Sequence, residues 1–275
     1  MAAGGRDRQD GRPVALITGG SSGIGLALAG RLAGLGFDLA LVSRRADRLE
    51  AARQQLAAMA PEARIGIYPA DVADAQAGAA AVQAAIAEMG PPDWAVLNAG
   101  IARPGHFLDQ PVDDHHDQMA TNYFGALNIA RVVAPEMAEA GGGRMVFVSS
   151  GAAFFGIYGY AAYAPSKFAL RGLAEVLRVE LAGKGISVTL AYPPDTDTPQ
   201  LVAENETKPA ITQAITAGGG LWSAERVAER IVRGASRGRF LVAPGAQMTM
   251  LAYGHSMLAP LLRRYQMRIA RKERS

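Results

Sequence analysis

Seven short apolar runs recur along this chain: Val14 to Thr18, Leu39 to Val42, Ile65 to Tyr68, Trp94 to Leu97, Met145 to Val148, Ser187 to Ala191 and Phe240 to Val242. Alanine- and leucine-rich stretches long enough for crossover helices separate them. Near-continuous apolar runs suit strands buried on both faces, and strands joined through helices lie parallel. The expected fold is therefore α/β, a Rossmann-like doubly wound sheet of about seven parallel strands with helices on both faces. With 275 residues and neither linker nor internal repeat, a single domain with a sizeable core suffices. The expected division is a flexible terminus over 1–12, a catalytic domain over 13–244 with a substrate lid at about 195–221, and a C-terminal segment over 245–275.

The first run leads directly into TGGSSGIG at 18–25, and Leu26-Ala27-Leu28 then opens a helical pattern. Strand, glycine turn and helix N-terminus together make an anion cradle. Gly19, Gly23 and Gly25 admit a pyrophosphate close to the backbone, beside Ser21, Ser22 and Ile24, while the first-turn N–H groups and the helix dipole face its charge. A glycine-rich turn with no ligand has the same residues; the flanking strand and helix favour the cradle.

In a doubly wound sheet, ligands bind beyond the carboxyl ends of the strands. Asp71-Val72 ends the third run, Asn98-Ala99-Gly100 the fourth and Ser149-Ser150 the fifth. Each alone could be a helix N-cap, since Ser, Asp and Asn suit a strand-to-helix turn. Their recurrence along one edge favours a cleft. The second run ends in Ser43-Arg44-Arg45, where an acidic residue would read a free ribose 2′-hydroxyl and an arginine a 2′-phosphate. Ser43 and Arg44 therefore indicate NADPH/NADP+, and Arg45 fits the solvated start of a helix.

Thirteen positions beyond Ser150 stands Tyr163, and four further on stands Lys167. A ketone accepting hydride needs an acid to protonate the developing alkoxide and a donor to polarise the carbonyl. Tyrosine, ordinarily titrating near pH ~10, needs a cation nearby to do this at neutral pH. A helix from Ala161 to Ala182, marked by Phe168, Leu170, Leu173, Val176, Leu177 and Leu181 with Gly183 and Gly185 after it, places Tyr163 and Lys167 on one face. Lys167 is then expected to lower the phenol's pKa and to hold the nicotinamide ribose, and Ser150 to donate to the carbonyl oxygen. YxxxK also arises by chance on surface helices; its force comes from Ser150 and the glycine turn.

TGGSSGIG, Asp71-Val72, Asn98-Ala99-Gly100, Asn122, Ser150 and YAPSK at 163–167 stand in an order and spacing that resemble the short-chain dehydrogenase/reductase family over nearly the whole chain. The resemblance implies that Asn122 joins the proton relay, that Asp71 with Val72 contacts the adenine, and that Asn98, Ala99 and Gly100 shape the central cofactor cleft. It also implies a homodimer or homotetramer through the helices at 113–139 and 161–182. The family's proline-glycine motif after the sixth strand is replaced here by Tyr192-Pro193-Pro194-Asp195-Thr196-Asp197-Thr198-Pro199. Pro193, Thr196 and Thr198 remain placed to meet the nicotinamide carboxamide. AYPPDTDTP, then AENETKP at 203–209 and a helix at 223–234, resemble the branch of the family that reduces the keto group of a long-chain sphingoid base. The alternatives are the same chemistry on another lipidic ketone or alcohol (steroid, retinoid, fatty ketone), and a cofactor-binding regulatory protein that has lost catalysis. The joint presence of Asn122, Ser150, Tyr163 and Lys167 argues against the last.

Beyond Gly245 comes an apolar stretch, then a block with six basic residues against Glu273 in a chain whose net charge is only +3. Gly254, His255 and Pro260 interrupt the apolar stretch, which makes a poor spanning helix. One reading is a peripheral membrane anchor, with Met248, Met250, Leu251, Leu258, Leu261 and Leu262 in lipid and the arginines on anionic headgroups. The other is a helix packed on the core or on a second subunit. The block lacks interleaved aromatics beyond Tyr265, so nucleic acid is not an expected partner. The aromatic run from Phe154 to Tyr160 is expected to wall an acyl-chain pocket, with loop packing or a subunit interface as the alternative.

With no cysteine, disulfides and thiolate metal sites are excluded, and His106, His115, His116 and His255 lack metal-ligand spacing, so no metal is expected. The N-terminal residues hold no apolar run for a secretory signal, and the cytoplasm is the expected location, with peripheral contact on the cytoplasmic face of a membrane through the C-terminal segment.

Overall fold

A computed structural model describes residues 11–216 and 220–272. The first strand, β1 (Val14–Thr18), is followed by α1 (Gly23–Ala33), β2 (Asp38–Ser43), α2 (Ala46–Met59), β3 (Ile65–Pro69), α3 (Ala75–Met89) and β4 (Trp94–Leu97). Then come α4 (Val112–Met119), one π-helical turn at Ala120–Phe124, α5 (Gly125–Glu139), β5 (Gly143–Val148), α6 (Tyr163–Glu180) and β6 (Ile186–Ala191). A short strand β7 (Thr196–Asp197), α7 (Pro199–Thr207), α8 (Ala210–Thr216), β8 (Trp222–Ser223), α9 (Ala224–Ser236), β9 (Leu241–Val242) and α10 (Ala246–Lys272) complete the order.

Seven strands form one sheet in the order β3-β2-β1-β4-β5-β6-β9, and neighbouring strands within it pair in parallel. The period of two along a strand divides the apolar residues between two layers. Val14 and Leu16 join α3, α5, α6 and α10 through Ile129, Val133, Leu170 and Met248. Ala15 and Ile17 face α1, α2 and α9 through Leu28, Leu32, Leu56 and Ile231. Each face is covered, which is why the runs are apolar at consecutive positions. Caps mark several helix starts: Asp74 accepts the N–H groups of Gln76 and Ala77, and Ser223 accepts that of Arg226. Gly141 and Gly142 form the turn from α5 into β5, whose first residue is Gly143.

The terminal segment expected to be flexible lies outside the described residues except for Gly11 and Arg12, and so does the part of the expected lid at 217–219. The rest of the expected lid consists of two helices, α7 and α8, tied to the body by the pairing of β7 with β8. Of the two readings of the C-terminal segment, the structure supports the helix packed on the core, which runs continuously through Gly254, His255 and Pro260. Tertiary contacts override the local propensity there: Met248, Leu251 and Ala252 belong to the core, Leu258 and Leu262 pack against it, and Gln266 bonds to both Gly156 and Tyr158. Four of the six residues proposed to enter lipid thus face protein. Among the described residues, no helix is long and apolar enough to cross a membrane.

Candidate active site

The strand order reverses between β1 and β4, and a cleft of about 620 Å³ opens beyond their carboxyl ends. It extends from the glycine turn after β1 to the inner face of α10, where Met248 and Leu251 form part of its wall.

At one end the glycines set how closely backbone can approach. A Cβ on Gly25 would stand 2.1 Å from the Gly19 carbonyl oxygen and 2.5 Å from Asn98 Nδ2, so only glycine lets α1 begin this near the turn. Asn98 donates from Nδ2 to the carbonyls of Thr18 and Gly19, and its N–H donates to Thr18 Oγ1 at 3.0 Å. Asn98 and Gly25 therefore build the turn, while Gly19, Ser21, Ser22, Gly23 and Ile24 line the cleft with Ala99 and Gly100. Ser22, at the N-cap of α1, makes no side-chain cap, which leaves the first-turn N–H groups without that partner. A cradle that a Cβ would fill and a helix N-terminus without a side-chain cap fit a dinucleotide pyrophosphate.

Ser43 Oγ lies 3.0 Å from Ser21 Oγ, and Arg44 stands beside it with its guanidinium 3.9 Å from Asp71 Oδ2. Both partners of that pair are substantially exposed, so it holds Arg44 only weakly. Arg45 also borders the cleft, with its guanidinium bonded to Asp47 at the exposed start of α2. Arg48, one turn farther along α2, also lines the cleft; sequence reading missed it because its position depends on how α2 leaves β2. Asp71 accepts the Ala73 N–H at 3.0 Å, the turn-forming role available to any Asp at a strand end. Val72 is buried, and its carbonyl accepts from Asn128.

The other end carries the proton chemistry. Tyr163 opens α6, Lys167 follows one turn later, and both are buried. Lys167 Nζ donates to the Val148 carbonyl at 3.2 Å and lies 5.6 Å from the centre of the Tyr163 ring. Ser150, just past β5, accepts the Ala152 N–H at 3.2 Å, and its hydroxyl hydrogen-bonds to Tyr163. Asn122 stands in the π-helical turn, and a Cβ added to Gly100 would come 3.1 Å from its Oδ1 and 3.4 Å from Lys167 Nζ. Its amide is committed: Oδ1 accepts the Ile101 N–H, and Nδ2 donates to the Ile101 carbonyl and to Ser166 Oγ. That pattern makes the side chain a positioning group for α6 and for the loop after β4.

The model of the short chain dehydrogenase family matches residues 13–209. The chain belongs to that family. It is 39% identical over 240 residues to a 3-dehydrosphinganine reductase of Danio rerio, covering 86% of this chain and 72% of that protein. It is 38% identical over 259 residues to a 3-ketodihydrosphingosine reductase of Bos taurus, covering 91% and 78%. Among solved structures, levodione reductase superposes with a TM-score of 0.79 at 27% identity, over 86% of this chain and 98% of that one.

In this dehydrogenase the phenol is not made acidic as the Tyr163 to Lys167 spacing suggests. Burial, and after it the Glu204 carboxylate, hold Tyr163 above its ordinary pKa, against a hydrogen bond from Ser150 that pulls it down. Burial likewise pushes Lys167 down to about 8, with Glu204 opposing. A cation that is itself desolvated is partly neutral and cannot dominate the phenol. The outcome suits reduction, because Tyr163 stays protonated and able to give its proton across the physiological range.

Pro193, Thr196 and Thr198 line the cleft, but both threonine hydroxyls have partners within the chain. Thr196 Oγ1 donates to the Pro194 carbonyl at 2.8 Å. Thr198 Oγ1 donates to the Thr196 carbonyl and caps α7 by accepting the Leu201 N–H. The aromatic run divides: Phe155, Ile157 and Tyr160 line the cleft, whereas Phe154 stacks on Tyr192 and His255 and packs α10 to the body. Sequence reading placed Tyr160 in the aromatic run but missed Glu204, which meets it at 3.2 Å in the cleft. The only signal for Glu204 was its place four residues after Gln200 on a helical stretch, which does not distinguish it from a surface carboxylate.

Proposed function

We propose that the protein reduces 3-ketodihydrosphingosine (3-ketosphinganine) to dihydrosphingosine (sphinganine) with NADPH, a step of sphingolipid biosynthesis. The observation that carries this reading is the joining, in one cleft, of a dinucleotide cradle with Ser150, Tyr163 and Lys167, in a chain related over most of its length to reductases of that ketone. A reduced nicotinamide, when bound, supplies hydride to the carbonyl carbon. Ser150 donates its hydroxyl hydrogen to the carbonyl oxygen, and Tyr163 delivers the phenolic proton to that oxygen as it becomes an alkoxide. Lys167, titrating near the working pH, returns a proton to the phenolate side of the cleft, while Asn122 holds Ile101 and Ser166 so that α6 keeps its place. Ile157, Ile215, Met248 and Leu251 offer an apolar wall to a long chain.

Arg44, with Arg48 beside it, receives the 2′-phosphate, while the glycine turn takes the pyrophosphate and Asp71, Val72, Asn98, Ala99 and Gly100 frame the adenosine and central portions. The test is spectrophotometric consumption of NADPH and of NADH with 3-ketosphinganine. Wild type is expected to prefer NADPH, and Arg44→Asp to lose most of that preference, or reverse it, at little cost with NADH. Turnover of other lipidic ketones with none of 3-ketosphinganine would overturn the substrate, and an unchanged NADPH preference in the variant would overturn the phosphate contact.

The same reading places the protein in the cytoplasm, peripheral on a membrane surface through α10. The face of this helix opposite the core carries Met250, Tyr253, Met257, Leu261 and Tyr265 at intervals of three and four, all exposed, beside exposed Arg264 and Arg268. Tyr253→Glu with Met257→Glu is expected to reduce flotation with anionic vesicles and to leave turnover of detergent-solubilised ketone as it was. Flotation equal to wild type would remove α10 from the membrane. Phe168, Val176 and Val179 form an exposed apolar strip on α6, and this strip supports assembly as a homodimer or homotetramer.

A further inference from the structure

The mechanism above leaves one buried charge in the cleft without a task. Glu204, on α7, is 8% exposed and lines the same cavity as Ser150 and Tyr163. Its Oε1 accepts from Gln200 Nε2 at 2.9 Å, and its Oε2 accepts from the Tyr160 hydroxyl at 3.2 Å. The Tyr160 ring stands 5.3 Å from that of Tyr163, so the carboxylate is one aromatic ring away from the proton donor. Among the described residues no cation lies within 4 Å of it. The two cations whose fields reach it are occupied elsewhere: Lys208 is bonded to Asp195 at 3.5 Å, and Lys167 donates to the Val148 carbonyl. Two neutral donors thus orient a buried carboxylate whose oxygens keep unused lone pairs. A buried charge held this way is costly unless a counter-charge arrives.

The inference rests on the substrate reading given above. That ketone carries an ammonium on the carbon next to its carbonyl. We propose that Glu204 is the subsite for this ammonium, and that its contact selects α-amino ketones over plain ketones of the same chain length. Binding there fixes the carbonyl carbon two bonds from a charge anchored beside Tyr160, which turns the reacting oxygen toward Tyr163 and Ser150. The apolar walls hold any long chain and cannot make this distinction. Burial raises the Glu204 carboxyl above the ordinary carboxylate range, and an adjacent ammonium acts in the opposite direction, so substrate binding and the charged form of Glu204 support each other.

The experiment compares kcat/KM, with NADPH, for 3-ketosphinganine and for its deaminated analogue, the same hydroxyketone with hydrogen in place of the amine. Glu204→Gln keeps the shape and removes the charge. It is expected to lower kcat/KM for the amino ketone by about 100-fold, mostly through KM, and to change turnover of the deaminated ketone far less. Equal losses on both ketones would make Glu204 a structural tie between α7 and Tyr160, and no loss on either would remove it from recognition; either result overturns the inference while leaving the substrate reading intact. Wild type that ignores the amino ketone but reduces the deaminated one would instead overturn the substrate reading, and the inference with it. Should Glu204→Gln fail to bind NADPH in a fluorescence titration, wild type decides the matter: the preference for the amino ketone must fall as pH rises through the substrate's ammonium pKa. A preference independent of pH there would overturn the subsite.

Discussion

Tyr163→Phe should cost the enzyme about 10²- to 10⁴-fold in kcat and almost nothing in NADPH affinity, the loss typical of removing a positioned general acid. The aromatic ring remains in the variant, and with it the packing against Tyr160 and the apolar neighbours of α6; only the hydroxyl disappears. Burial and the Glu204 carboxylate both keep this hydroxyl protonated, so kcat for reduction should stay flat with respect to Tyr163 across neutral pH and lose only the Lys167 step. Single-turnover kinetics with a fluorescence titration of NADPH separates the two quantities. A variant that retains wild-type kcat would show that Tyr163 is not the donor.

The second large effect is two-sided. Lys167→Met should abolish most activity and at the same time stabilise the cofactor-free protein. Lys167 titrates at about 8 in the fold against 10.5 ordinarily, because burial disfavours the ammonium. The unfolded chain therefore binds the extra proton more tightly, and below pH 8 the fold carries the full cost, about 3 kcal/mol from the difference between the two pKa values. Losing the hydrogen bond to the Val148 carbonyl offsets about 1 kcal/mol of that. Methionine fills a similar volume without the charge, so the melting temperature should rise by roughly 4–8 °C at pH 7. The sign also fixes the pH dependence: this group's contribution makes wild type more stable as pH rises from 8 to 10.5, and the variant lacks that slope. Calorimetry of both proteins at pH 7 and pH 10 tests this, and a variant less stable than wild type at pH 7 would refute the assignment of a desolvated ammonium.

Much of the scaffold was legible because it is local. β1 and β4 occupy the expected Val14–Thr18 and Trp94–Leu97, and the other main strands differ from the expected runs by one or two residues at an end. Consecutive apolar positions require two covered faces, and the glycines after β1 require a tight turn. Those constraints act within a few residues and need no knowledge of the rest of the chain. The spacing of Tyr163 and Lys167 likewise shows in any helix, and α6 supplies one.

What the sequence by itself determined was thus the layered parallel sheet, the glycine turn at its switch point and the set of reactive groups along one edge. Only the tertiary structure decided how those groups behave. The acidity of Tyr163 depends on how deeply it and Lys167 are desolvated, which is a property of the whole packed cleft. The continuity of α10 across Gly254 and Pro260 depends on contacts with Phe154, Gly156 and Tyr158, distant in sequence. Glu204 became significant only once α7 folded it against Tyr160. Periodicity and turn chemistry are short-range and can be read along the chain; burial and electrostatics sum over neighbours that folding alone brings together.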